Sequence, residues 1–323
     1  MPRALPIPRR SRSAEPGQRA PRVLVLGDLM LDVVLAPVRP FETGTDVPGR
    51  VMLRQGGSAA NTARWLARLG ARSTLICAVG RDPEGRALVA ALRSDGVRVR
   101  AARVAAERTG RIGVVVAPDG ERSFVADRGA ADFLAPGDVR APDLRVDLLH
   151  LPAYSLLGEP LGRAGARAIE MARAGGVLIS LDLASIGPLL TGGRREAIRL
   201  VRDAAPDILF ATRAEAEAVG GPRSVAALRD LAAIAVIKQG RAGATILAGG
   251  PASPITFDVA TAPLAAPDTT GAGDAFDAGF LHAWLAAAPD TRNRPATLRR
   301  AVLAGHRAAG RQLSSRPVEL PLG

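Results

Sequence analysis

The string Asp268-Thr269-Thr270-Gly271-Ala272-Gly273-Asp274-Ala275-Phe276 concentrates residues able to do chemistry. Behind it Phe276, Phe280 and Trp284 recur at i, i+4 and i+8, the spacing of a buried helix face. Three small residues would open that helix and leave the backbone N–H groups of Gly271, Ala272 and Gly273 unpaired at its positive end. Such an end receives anions, and the lack of large side chains lets a phosphate approach the backbone. Asp274 is out of place in a site that only binds phosphate, because its carboxylate repels one. It fits a base that takes a proton from an attacking hydroxyl while the amides hold charge on a phosphoryl group in transfer. A helix-capping aspartate would explain Asp274 alone, but not the whole string.

Two more groups have suitable types and spacing. Gly56-Gly57-Ser58-Ala59-Ala60-Asn61-Thr62-Ala63 reads as a glycine turn entering a helix whose face is Ala59, Ala63 and Leu66. That accounts for the glycines and leaves Asn61, an indifferent helix former, unexplained. Gly27-Asp28-Leu29-Met30-Leu31-Asp32 leaves an apolar run. A carboxylate such as Asp32 at the C-terminal end of a parallel strand lies where α/β ligands gather, a solvated loop aspartate being the alternative.

Positioning these groups requires a scaffold, and the apolar runs supply one. Residues 22–27, 74–80, 147–151, 177–182, 207–210 and 234–238 read as strands, several of them near-continuous apolar stretches covered on both faces. Between them, 58–69, 84–94, 161–174, 192–204, 213–219 and 223–232 read as helices. This alternation predicts a doubly wound, mostly parallel α/β sheet flanked by helices. Residues 33–55 and 98–126 break the pattern with short β-like pieces and turn residues, including Pro118-Asp119-Gly120, and are expected to form a small β lid. The chain is expected to be one domain over 22–323 preceded by a disordered basic tail over 1–21.

Composition narrows the function classes. The 323 residues are 47% hydrophobic, enough for a sizeable core, and no apolar run approaches the ~20 residues of a membrane span. The net charge is +12, but residues 1–22 hold six arginines against Glu15, which leaves +7 on the remainder. Aromatic residues are only 3%, too few for a base-stacking platform, so a nucleic-acid partner is not expected. Cys77 is the lone cysteine, and the three histidines lack metal-ligand spacing. The N-terminus has no apolar secretory core, which predicts a cytoplasmic protein.

Residues 268–276 resemble the C-terminal signature of the ribokinase-like (PfkB) carbohydrate kinases, and 56–70 resemble that family's N-terminal glycine signature. The likeness runs over roughly 22–316. It implies an ATP-dependent, Mg²⁺-requiring kinase acting on a hydroxyl, most often primary, of a sugar or ribonucleoside. By match, Asp274 would be the catalytic base and Gly271, Ala272 and Gly273 the anion hole. Asp32, Gly56, Gly57 and Asn61 would bind the acceptor. Thr212, Lys238, Gly240, Gly243 and His306 would lie on the ATP side, the glycines within Lys238-Gln239-Gly240-Arg241-Ala242-Gly243. Glu215 would serve Mg²⁺ through water, although Thr212 stands where the family has Asn in Asn-x-x-Glu. Asp268 and Thr270 match a monovalent-cation site, potassium in many relatives. Leu313-Ser314-Ser315-Arg316-Pro317 lacks the glycine usual there, which argues against potassium activation. Val79–Gly85 and Gly120-Glu121-Arg122 also look like family loops.

Other readings lose ground on the residues. A P-loop needs Gly-x-x-x-x-Gly-Lys-Ser/Thr, and the only lysine, Lys238, stands in no such context. A dinucleotide fold needs Gly-x-Gly-x-x-Gly after the first strand, which Gly27-Asp28-Leu29-Met30 does not provide. A non-catalytic sugar- or nucleotide-binding regulator on the same scaffold would have lost its base or anion hole, and both strings are intact. Which sugar or nucleoside is bound stays open. Met30 replaces a polar contact of some sugar kinases, while Phe41, Met52 and Phe124 of the lid could line a base or pack the lid. Exposed lid edges could also pair two copies into a homodimer.

Overall fold

The computed structural model describes residues 19–117, 122–221, 225–250, 252–262, 264, 266, 268–315 and 318–321. The first eighteen residues of the expected tail, the Pro118-Asp119-Gly120 turn, Glu121, Arg316 and Pro317 lie outside the described residues. Arg19, inside the expected tail, pairs with Asp147 at 2.7 Å.

Thirteen strands are described: β1 Arg22–Leu26, β2 Met30–Pro37, β3 Gly49–Gly56, β4 Arg72–Gly80, β5 Arg98–Val104, β6 Arg111–Val116, β7 Arg122–Asp127, β8 Leu148–Pro152, β9 Leu178–Asp182, β10 Ile208–Thr212, β11 Ile234–Lys238, β12 Ala244–Ala248 and β13 Ile255–Val259. Nine form one sheet in the order β13-β12-β11-β10-β9-β8-β1-β4-β5, parallel from β11 through β5 and antiparallel at β12 and β13. Helices α1 Ser58–Arg68, α2 Pro83–Ser94, α3 Leu161–Ala174, α4 Ile186–Leu189, α5 Arg194–Ala204, α6 Arg213–Gly220, α7 Ala272–Leu285 and α8 Pro295–Ser314 connect and cover them. Successive strand residues alternate between two cores. Val23, Val25, Leu75 and Cys77 pack with α1, α2, α7 and α8, whereas Leu24, Leu26, Ile76 and Ala78 pack with α3, α5 and α6. A strand buried on both faces cannot alternate in polarity, which is why these runs read as continuously apolar.

The remaining strands make a separate four-stranded sheet, β3-β2-β6-β7. Three expectations are corrected here. Residues 98–104, assigned to the lid, are β5, which lies parallel to β4 at the edge of the large sheet. An edge strand turns one face to solvent, so it alternates like a lid strand. Asp32, expected at the exit of the first strand, lies on β2 of the small sheet, and Asp28 occupies the exit of β1. The segment read as a helix over 223–232 contains a 3₁₀ turn, Val225–Asp230, too short a run to repay α-helix nucleation.

Helix α7 is held by close packing. A Cβ on Gly279 would lie 2.6 Å from the Ala304 carbonyl, and one on Gly305 would lie 2.8 Å from the Phe276 ring. The two glycines thus let α7 and α8 touch along their backbones. Phe280 meets Phe210 of β10 edge-on at 5.4 Å, which fixes the rotation of α7 and therefore the aim of its first turn. No described helix is long and apolar enough to cross a membrane.

Candidate active site

Gly271 precedes α7 at φ 73°, a left-handed turn suited to glycine. The Ala272 N–H bonds to the Thr269 carbonyl at 3.2 Å, so it is not free as expected. The N–H groups of Gly271 and Gly273 take no backbone acceptor among the described residues. Asp274 follows in the first turn. Its Oδ1 accepts the Ser58 hydroxyl at 2.7 Å and its Oδ2 the Asn61 side-chain amide at 2.9 Å, both from the start of α1. Burial pushes the Asp274 carboxyl up to about 6, against the pull of those two hydrogen bonds.

A cavity of about 690 Å³ passes this turn along Arg54, Trp65, Asp268 and Gln312, and two smaller clefts meet at it. One, of about 510 Å³, is lined by Asp28, Asp32, Gly57, Asn61, Thr212, Glu215 and Asp274. The other, of about 290 Å³, is lined by Gly240, Gly243, Phe276 and His306. Lys238, Thr269 and Gly273 line both, so the free amide end of α7 stands at the junction. Lys238 aims there too, since a Cβ on Gly273 would lie 3.5 Å from its Nζ.

Most of the residues singled out by sequence come together here, with differences. Thr212 lies on the larger cleft rather than on the side of Gly240 and His306. It caps α6, its hydroxyl accepting the Glu215 N–H at 3.2 Å while Glu215 Oε2 accepts the Thr212 N–H at 2.8 Å. Gly56 lines neither cleft; a Cβ there would meet the Asp32 carboxylate at 1.9 Å, so the glycine makes room for Asp32. Asn61, expected to touch the acceptor, gives its amide to Asp274. His306 packs against Phe276 at 5.3 Å, and burial lowers its pKa. Phe124 lines the larger cleft beside Ile112 and Val114, while Phe41 and Met52 line neither.

Other groups at the site escaped the sequence reading. Ser58 binds the base. Buried Asp28 accepts the Ala59 N–H at 3.1 Å and lies 3.5 Å from Arg128, which packs over the Tyr154 ring at 4.9 Å. Lys238 sits between Asp182 at 3.2 Å and the fully buried Asp277 at 3.1 Å. Burial alone would lower the Lys238 ammonium, but Asp182, Asp277 and Glu215 hold it above its usual range. One signal was readable: Asp182 and Lys238 end parallel strands β9 and β11, where ligands of α/β sheets gather. Asp277 gave none, since a charge on the apolar face of a helix looks like an exception to the pattern.

The ions named by the resemblance can be tested against these donors. Asp182, Glu215 and Asp277 surround a single ammonium, leaving surplus negative charge, and burial first, then Asp182, raises the Glu215 carboxyl. Among the described residues no cluster of three or more acidic, His or Cys side chains could hold a metal ion directly, so Asp182 and Glu215, which line the larger cleft, would serve Mg²⁺ through water together with the nucleotide phosphates. A monovalent cation at Asp268 and Thr270 does not fit. Asp268 Oδ2 is bound by Arg54 Nη1 at 2.6 Å and Oδ1 by the Thr270 N–H at 2.9 Å. The Thr270 hydroxyl accepts Arg122 Nη1 at 2.6 Å and its carbonyl accepts Gln312 Nε2 at 3.0 Å. Donors already occupy the oxygens such an ion would need.

The model of the pfkB family of carbohydrate kinases matches residues 20–320. Fructokinase of Klebsiella pneumoniae is 31% identical over 275 residues, covering 80% of this chain and 83% of the relative. The crystal structure of adenosine kinase from Sinorhizobium meliloti superimposes with a TM-score of 0.80 at 23% identity, over 94% of this chain and 97% of that one. A putative ribokinase II from E. coli in complex with ATP and Mg²⁺ gives 0.76 at 21% identity, over 92% and 94%. The chain belongs to the pfkB family of carbohydrate kinases.

Proposed function

We propose that this kinase moves the γ-phosphoryl group of ATP to a hydroxyl, in most cases primary, of a sugar or ribonucleoside, with Asp274 as the base. The observation that carries this reading is the junction: the free amides of Gly271 and Gly273, the Lys238 ammonium and the Asp274 carboxylate meet where two clefts join. The larger cleft takes the acceptor. Asp28 and Asp32 accept its hydroxyls, and Met30, Ile112, Val114 and Phe124 cover its less polar side. The smaller cleft takes the nucleotide, its base beside His306 and Phe276 and its phosphates directed over Gly240 and Gly243 toward the start of α7.

The acceptor oxygen then faces the γ-phosphorus. Asp274 removes the hydroxyl proton as the new O–P bond forms and the bond to the β-phosphate oxygen breaks, and ADP leaves with that electron pair. Gly271, Gly273 and Lys238 hold the equatorial oxygens. Mg²⁺, held through Glu215 and Asp182, would neutralise phosphate charge. The lid closes the cleft against water, which would otherwise compete as acceptor.

The test is turnover of purified protein with Mg-ATP against a panel of fructose, ribose, other pentoses, adenosine, cytidine and pseudouridine. A single strongly preferred acceptor supports the reading. ATP hydrolysis at the same rate with and without every acceptor would refute it.

A further inference from the structure

The loop that shapes the anion hole, Asp268 to Gly271, is gripped by two arginines of the small sheet. Arg54 on β3 binds Asp268 at 2.6 Å with its side chain only 15% exposed. Arg122 on β7 donates to the hydroxyls of both Thr269 and Thr270 and lies 3.9 Å from Asp268. From the opposite side Trp65 Nε1 donates to Gln312 at 3.1 Å, and Gln312 donates to the Thr270 carbonyl. Although burial pushes it up, these bonds from Thr270 and Arg54 hold the Asp268 carboxyl below its usual range.

Arg54 lines a cavity of about 690 Å³ that it shares with Asp32 and Asp268, beside the acceptor cleft rather than in it. It stands directly across the β2–β3 ladder from Asp32, whose Oδ1 is buried without a hydrogen-bond partner. One guanidinium therefore lies between a carboxylate of the acceptor cleft and the carboxylate that shapes the phosphoryl site. A fixed arginine supplies charge without depending on dissolved salt, and Nη2, donating to Met52 Sδ at 3.4 Å, helps hold the guanidinium in place.

We propose that Arg54 is a positioning residue that does the work of a bound monovalent cation, holding the anion-hole loop against the lid and making the enzyme independent of potassium. Arg122 is the second grip. Together they couple the docking of the lid to the assembly of the anion hole, and this rests on the kinase reading of the site.

The experiment measures Mg-ATP affinity by calorimetry, and kcat with the best acceptor of the panel, in potassium chloride and in tetramethylammonium chloride at equal ionic strength. The natural protein should show the same affinity and kcat in both salts. Arg54→Met in tetramethylammonium should lose about 10²-fold in kcat with a smaller change in affinity, and potassium should restore part of it. Arg54→Lys, which keeps charge but loses the fork, should fall between. If potassium raises the natural protein's affinity or kcat by about fivefold or more, the proposal is overturned while the kinase reading stands. It is also overturned if a folded Arg54→Met matches the natural protein without potassium. Absence of Mg-ATP binding and of turnover in the natural protein would overturn both readings. The salt comparison needs no variant, so a failure of Arg54→Met to fold leaves that arm decisive.

Discussion

Asn61 donates its side-chain amide to Asp274 at 2.9 Å, joining two glycine motifs 213 residues apart in the chain. Ser58 completes the arrangement from one helical turn earlier, at 2.7 Å. Both Asp274 oxygens are thereby fixed, and the carboxylate is held by donors that favour its charged form within a buried site that disfavours it. The balance leaves a base close to physiological pH, useful for taking a proton from an alcohol.

Removing only the charge of that base separates binding from chemistry. Asp274→Asn keeps the shape and can still meet Ser58. It should bind Mg-ATP as the natural protein does while kcat falls by about 10²–10⁴-fold, the usual contribution of a general base. Calorimetry and steady-state kinetics on the same preparation check this. Near-native kcat would mean another group takes the proton.

The acid limb of the pH–rate profile follows. With the Asp274 carboxyl pushed up to about 6, activity should fall as pH drops through that value, with unit slope. The Ser58 and Asn61 hydrogen bonds lower this pKa, so Asn61→Ala and Ser58→Ala should each move the limb upward. A limb unmoved in both variants would count against Asp274 as its origin.

Stability carries the same group with opposite consequence. Asp274 titrates higher in the folded state than in the unfolded chain, so its contribution favours folding below about pH 4 and is lost as pH rises through about 6. Asp274→Asn should therefore raise Tm by about 2–4 °C at pH 8 and by less at pH 5. Buried His150, lowered to about 4 by burial, has the reverse sign: its contribution is complete above about pH 6.5 and lost as pH falls toward 4. His150→Gln should flatten the acid side of the Tm profile. Differential scanning fluorimetry from pH 4 to 8 resolves the two.

How much of this was legible depends on whether a residue announces itself locally. The strands of the large sheet were readable because burial on both faces leaves no polar positions, and the small-residue start of α7 because glycine and alanine stand together there before an apolar helix face. Asn61 stood out as a poor helix former, yet its partner is a carboxylate from the far end of the chain, which no local pattern reveals. Arg54 looked like an ordinary polar position on a half-exposed strand, and Arg122 stood out only as part of a family-like loop. Their meaning arises only when the small sheet is laid over the loop at Asp268. Likewise β5 was misread because an edge strand of a parallel sheet alternates as a lid strand does.

The anion hole can be tested without disturbing the fold. A Cβ on Gly273 would have Lys238 Nζ at 3.5 Å as its nearest neighbour, an ordinary contact. Gly273→Ala should then fold with an unchanged or slightly raised Tm, since alanine is the better helix former. The added methyl would occupy the space the phosphoryl oxygens need, and kcat should fall by about 10²-fold. A large Tm loss would point instead to a packing role.

The last prediction concerns the carboxylates around Lys238. Asp182 and Asp277 pair with the Lys238 ammonium while Glu215 adds to its field, burial raises the Asp277 and Glu215 carboxyls, and Asp277 touches neither cleft. Lys238→Met would leave buried carboxylates without a cation, a change that costs about 3–5 kcal/mol, and Tm should drop by about 5–10 °C. Asp277→Asn does the opposite: it relieves surplus charge, keeps a hydrogen-bonding group beside Nζ, and should leave Tm level or higher. Its effect should appear in catalysis, because Lys238 loses one of the two carboxylates that aim it at the start of α7. A fall in kcat of about tenfold with little change in acceptor KM is expected, measured beside Tm on both variants. Equal Tm losses in the two would show that the cluster is a balanced ion pair rather than one awaiting a further positive charge.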